Sequence, residues 1–192
     1  MNNQVCWIDV VGYTQADKSL KRTYDEVRNS DGSLDNLYQA FSLRPHTIRP
    51  ADDLYLAVLH HDQNTLPKWY SELLGVYVAI LAECEYALTH HQHNFYHLMD
   101  DPDRADNILK SLHENNLSAC GNEKEVSGLA YASKLCRAPH AITREDIEKL
   151  TTHGWSDGEV LEIAQVVAMF SYFVRIINGV GISLRGDRIG LY

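Results

Sequence analysis

Cysteine is scarce in this chain: four residues, Cys6, Cys84, Cys120 and Cys136, among 192. That excludes the disulfide framework on which small secreted domains rely. Positive charge is short as well, with 17 Lys and Arg against 26 Asp and Glu, giving a formal charge of −9 at neutral pH. A surface of that sign repels phosphate backbones, which argues against nucleic acid as a partner. Long apolar runs are missing. The longest, Leu73 to Ala82, falls short of a membrane span, and the stretch from Leu161 to Leu184 is broken by Glu162, Gln165, Arg175 and Asn178. The opening MNNQVCWIDV has neither the basic start nor the apolar stretch of a signal peptide. No linker, internal repeat or low-complexity tract is visible. The expectation is a cytoplasmic protein without a membrane partner. It is read as a single domain over 1–192, with a short strand or extended arm at 1–14.

What the chain does contain is helix punctuation. Ala16 to Arg28 reads as a helix closed by Asn29-Ser30-Asp31-Gly32, and Leu34 to Leu43 as another that stops before Pro45. Pro50 suits the first turn of a helix to His61, and Pro67 opens the next. Asp101-Pro102 caps a helix to Asn115, and Asn122 with Glu125 forms a capping pair for one ending before Pro139. Thr143 caps a short helix ending at Gly154. Ser156 with Glu159 opens a long apolar helix to Asn178, with Gly179 beyond. The fold class is all-α.

The rest is organised around LPKWYSELLGVYVAILAECEYALTHHQHNFYHL at 66–98, an apolar helix followed by a cysteine and a cluster of histidines. Cys84 and His91 are seven residues apart, which returns them to nearly one helix face. An imidazole beside a thiol can deprotonate it or stabilise its thiolate. Glu72, twelve residues before Cys84, can orient that imidazole if the chain bends between them. One helix over the whole stretch would exceed the usual length, so a break is expected near Glu83 to Tyr86. It would set Cys84 at a helix start, where the dipole favours a thiolate, and Cys84 would then alkylate faster than Cys120 or Cys136. His90, His93 and His97 share a second face, with spacing that suits Zn²⁺ or Ni²⁺. With no carboxylate at fixed spacing they are read as solvated, and no metal is expected.

The segment SELLGVYVAILAECEYALTHH resembles the core of the AhpD-like (alkylhydroperoxidase D) proteins, within the carboxymuconolactone decarboxylase superfamily. Their pattern is a Glu, twelve residues later a Cys-x-x-Cys, and four residues after the second Cys a His. Glu72, Cys84 and His91 match, while Ala87 stands where the second cysteine would be, so no dithiol forms within this motif. LYQAFSLRP at 37–45 and ITREDIEKLTTHGWSDGEVLEIAQVVAMF at 142–170 resemble the peroxidase-related branch, carrying the likeness from Ser33 to Gly181.

The resemblance implies an AhpD-like helical bundle that works without a cofactor. It implies catalytic roles for Cys84, His91 and Glu72, with Cys84 thiolate attacking a peroxide and an outside thiol as reductant. Together with the apolar helix surface at 160–177, it implies a homo-oligomer. Two alternatives stand beside this reading. One is a non-redox enzyme using His91 and Glu72 as acid and base on a small organic acid or lactone. The other is a binding protein that has kept the fold without the chemistry.

Overall fold

A computed structural model describes residues 5–191, which fold into α-helices with no β-strand among the described residues. In chain order these are α1 (Lys18–Glu26), α2 (Asn36–Ala40), α3 (Ile48–Tyr55), α4 (Lys68–Leu81), α5 (Glu85–Met99), α6 (Pro102–His113), α7 (Glu123–Arg137), α8 (Arg144–Thr152) and α9 (Asp157–Val180). The helix starts follow the caps written in the sequence. Asp17 accepts from the Leu20 amide at 2.8 Å and Asp101 from the Arg104 amide at 3.0 Å. Capping boxes open α7 at Asn122 and Glu125, α8 at Thr143 and Asp146, and α9 at Ser156 and Glu159. Each satisfies amide groups that the helix itself cannot.

Helix α4 is the hub. It is apolar on every side, and each residue from Tyr70 to Ala79 is buried. Such a helix has no solvent face and must be wrapped by others; α5, α9 and α7 do so. It ends in a Schellman motif: the Cys84 amide donates to Ala79 O at 2.9 Å and the Glu83 amide to Ile80 O at 3.1 Å. Glu83 takes the left-handed conformation there, φ 50°, where glycine is more usual. The expected break is therefore real, and Cys84 is the N-cap of α5. The turn folds α5 back along α4.

Boundaries shift elsewhere. Helix α9 runs past Gly179 to Val180, and it is Gly181, at φ 63°, that ends it. A Cβ on Gly181 would lie 2.1 Å from the Trp7 ring, so the arm can cross the helix end only because the residue is glycine. The described part of that arm is not a strand: it bends over residues 5–8 and turns over 13–15. It is tied by Trp7 N–H to Val180 O and Ser183 N–H to Val5 O, both 2.8 Å. The helix expected from Pro50 starts at Ile48, and its last turn widens into a π-turn over Leu56–His60. Among the described helices, α9 is long and apolar enough to cross a membrane, which the sequence reading had discounted; half of its most apolar window is buried inside the protein.

Where α4 meets α9, Gly75 faces the ring of Phe170, and a Cβ there would sit 2.2 Å from Cζ. Phe170 is itself enclosed. Gly75→Ala is therefore expected to destabilise the protein by about 1–3 kcal/mol through overpacking, despite alanine's better helix propensity. A denaturant midpoint at or above that of the wild type would contradict this.

Candidate functional site

Folding α5 back on α4 brings together two of the three candidate residues. His91 Nδ1 lies 2.7 Å from Glu72 Oε2. The other carboxylate oxygen, Oε1, accepts from Asn94 Nδ2 at 3.2 Å. Glu72 is only 2% exposed, and a carboxylate so deeply enclosed is tolerable only when hydrogen-bonded. With N–H donors on both oxygens, the pattern assigns the neutral imidazole's proton to Nδ1 and leaves Nε2 as the acceptor. The ring is clamped edge-to-face by Phe170 at 4.5 Å, with Tyr55 at 6.3 Å.

His91 opens onto a cavity of about 340 Å³. From α5 come Tyr86, Ala87, His90, His91 and Asn94, which share one helix face; from α9 come Phe170, Phe173 and Ile177. Tyr38, Tyr55 and Leu56 line it too, as do the charged residues Arg28, Arg49, Arg188, Asp35 and Asp52. The volume lies in the range of small-molecule sites, and its apolar patch from α9 faces an unusually polar remainder of the wall.

Cys84 is not among the residues lining this cavity. It is 1% exposed, and burial pushes its thiol above the ordinary value, although the backbone amides of Ala87 and Tyr86 pull part of the way back. The helix start thus acts in the expected direction, but desolvation outweighs it. Burial therefore acts against the expected thiolate. Ala87, at the position of the family's second cysteine, is the motif residue that faces the cavity.

His90 also departs from the solvated reading. It lines the cavity, stacks on Tyr86 with ring centroids 4.6 Å apart, and accepts the Gly190 amide on Nδ1 at 3.3 Å. Its Nε2 lies 3.8 Å from Asp187 Oδ2. Tyr86 donates to that same oxygen at 2.5 Å, and burial together with Asp187 keeps its phenol well above the usual range, so it remains a donor. Among the described residues no group of three or more His, Cys, Asp or Glu side chains could hold a metal ion.

Sequence reasoning missed Asn94, Tyr86, Asp187 and His60. Asn94 carried a usable signal, since it follows His91 by three residues and so shares its face. His60 ends the π-turn beside Tyr55, ring centroids 5.0 Å apart. Burial lowers its pKa, and Glu72 opposes that shift. Nothing in the local pattern announced the π-turn.

No family model matches this sequence, and no curated protein does either. Solved structures do match. A peroxidase-related protein from Ralstonia eutropha JMP134, described as an alkylhydroperoxidase AhpD core, aligns with a TM-score of 0.80 at 23% identity, over 94% of this chain and 92% of its own. A peroxidase-related protein from Silicibacter sp. TM1040 aligns at 0.78 and 21% identity, over 94% and 92%. The debrominase Bmp8, as a cysteine-to-alanine variant in complex with 2,3,4-tribromopyrrole, aligns at 0.71 and 18% identity, over 97% and 94%. The chain has the AhpD-like fold.

Thiol labelling tests this geometry. Cys136 is half-buried, whereas Cys120 is 1% exposed and pushed by burial to about 11. At neutral pH Cys136 is expected to alkylate before Cys84 and Cys120. Cys84 labelling should accelerate only as pH rises above the ordinary thiol range, because its thiolate is the disfavoured form. Mass spectrometry showing Cys84 as the first thiol modified would overturn this order.

Proposed function

We propose that this chain is an enzyme of the AhpD-like family that moves protons on a small organic acid or lactone, with His91 as the base. One observation carries the reading: His91, anchored from behind by the buried Glu72, lines the cavity, while the buried Cys84 is not among its lining residues. His91 Nε2 takes a proton from an acidic carbon or hydroxyl of the substrate, and Glu72 stabilises the imidazolium that forms. The proton is then returned to the product, so the enzyme ends as it began. The aromatic wall of Tyr55, Tyr86 and Phe170 suits an organic skeleton, and the arginines suit an acid group. A structural neighbour bound to a brominated pyrrole supports a fold able to take small ring compounds. The same proposal includes a cytoplasmic homo-oligomer, with exposed Leu161 and Tyr172 of α9 available for contacts between copies.

A second reading, reduction of peroxides by Cys84 thiolate, is favoured by the amides of Tyr86 and Ala87 near its sulfur. There the thiolate would break the peroxide O–O bond, become a sulfenic acid, release water or an alcohol, and be reduced by an external thiol.

One experiment separates them. Small organic acids and lactones incubated in D₂O are followed by NMR for enzyme-dependent deuterium uptake, and peroxide consumption is assayed with an added thiol. Uptake is expected in the wild type and in Cys84→Ser, and should fall by about 10²–10⁴-fold in His91→Ala. Absence of uptake, with peroxide consumption lost in Cys84→Ser, would select the thiol mechanism instead. Ala87→Cys is expected to create a cavity-facing thiol four residues before His91, and with it a gain of peroxide reduction.

A further inference from the structure

The segment from Asp187 to Leu191 crosses the cavity face of α5 and contributes Arg188, Gly190 and Leu191 to the cavity wall. It is pinned along its length. Asp187, with its side chain 2% exposed, accepts from Tyr86 on one oxygen and from the Asn36 amide at 2.8 Å on the other. The Gly190 amide donates to His90 Nδ1. The Leu191 amide donates to Asn94 Oδ1 at 2.8 Å. Gly190 has φ 77°, and a Cβ on it would lie 2.1 Å from His93 Cδ2 and 3.0 Å from Asn94 Oδ1, so the backbone lies directly on α5.

Asn94 is the joint between this strap and the reacting pair. It is 2% exposed; its carbonyl oxygen receives Leu191 N–H, and its amide nitrogen donates to Glu72 Oε1. A primary amide whose oxygen is held cannot flip without losing both bonds, so the strap dictates which end of Asn94 meets the carboxylate. We infer that Asn94, held by the Leu191 amide of this strap, is a positioning residue that sets the proton affinity of the Glu72–His91 pair. Its meaning for catalysis rests on the proton-transfer reading above; the hydrogen-bond chain itself does not.

The sign follows from the donor. An N–H on Glu72 favours the charged carboxylate, and removing it makes the pair bind its proton more tightly. One hydrogen bond to a charged group corresponds to a shift of about one pH unit. The test is an NMR titration of the full-length chain, with the His91 ring resonance identified by its absence from His91→Gln. Asn94→Ala is expected to raise the His91 midpoint by about one unit. Leu191→Pro removes the donating N–H at a residue 42% exposed and sets its ring carbon against Asn94 Oδ1, breaking the strap's bond to Asn94, and is expected to raise it in the same direction by less.

A strap that merely packs would lower thermal stability and leave both midpoints unchanged, which would overturn the inference. A shift in Asn94→Ala with none in Leu191→Pro would also overturn it, because the strap would then have no part. Because no substrate is needed, shifted midpoints in a protein without deuterium uptake would uphold this chain of bonds while the proton-transfer reading failed.

Discussion

A carboxylate with almost no contact with water is the constraint to which the rest of this structure answers. Glu72 sits in the most apolar helix of the chain, 2% exposed, between residues that pack on every side. Its charge is admissible only because two donors from a neighbouring helix reach it, and removing a buried partner of this kind typically costs several kcal/mol. Helix α5 must therefore lie against α4 in one register. The left-handed turn at Glu83, the Phe170 ring behind the imidazole and the α9 crossing at Gly75 all serve that register.

The same constraint separates the histidine from the cysteine. Both belong to one motif in the sequence, Cys84 as the N-cap of α5 and His91 in the middle of that helix. His91 is turned toward a cavity and anchored by a charge, whereas Cys84 caps the helix inside the packing between helices. A helix N-terminus stabilises a thiolate only to the extent that desolvation does not oppose it. Substituting alanine at position 87 removes the one motif position that would have carried a sulfur to the cavity wall.

The fold was legible because its punctuation is explicit: Asp101, Asn122, Thr143 and Ser156 each cap the helix expected of them, and Asp17 caps a helix that was expected without a named cap. Glu72 and His91 were legible as a pair through residue type and spacing, together with the family resemblance. The burial that opposes the Cys84 thiolate was not legible, because spacing reports direction on a helix and is silent about depth. Asp187 and the Leu191 amide lie about a hundred residues from their partners Tyr86 and Asn94, and no local pattern links them. His60 owes its location to a π-turn, which has no periodicity to read.

The α4–α5 hairpin closed at Glu83 also divides the site by order of assembly. Glu72, His91 and Asn94 all fall within one helix–turn–helix unit, and contacts this local carry a small loop-closure cost and form fast. The strap must wait for a closure spanning nearly a hundred residues before Leu191 meets Asn94. The chain is thus expected to hold the hydrogen-bonded Glu72–His91 pair early in folding, in a form whose cavity still lacks a wall. Selectivity for what enters would be the last property the protein acquires.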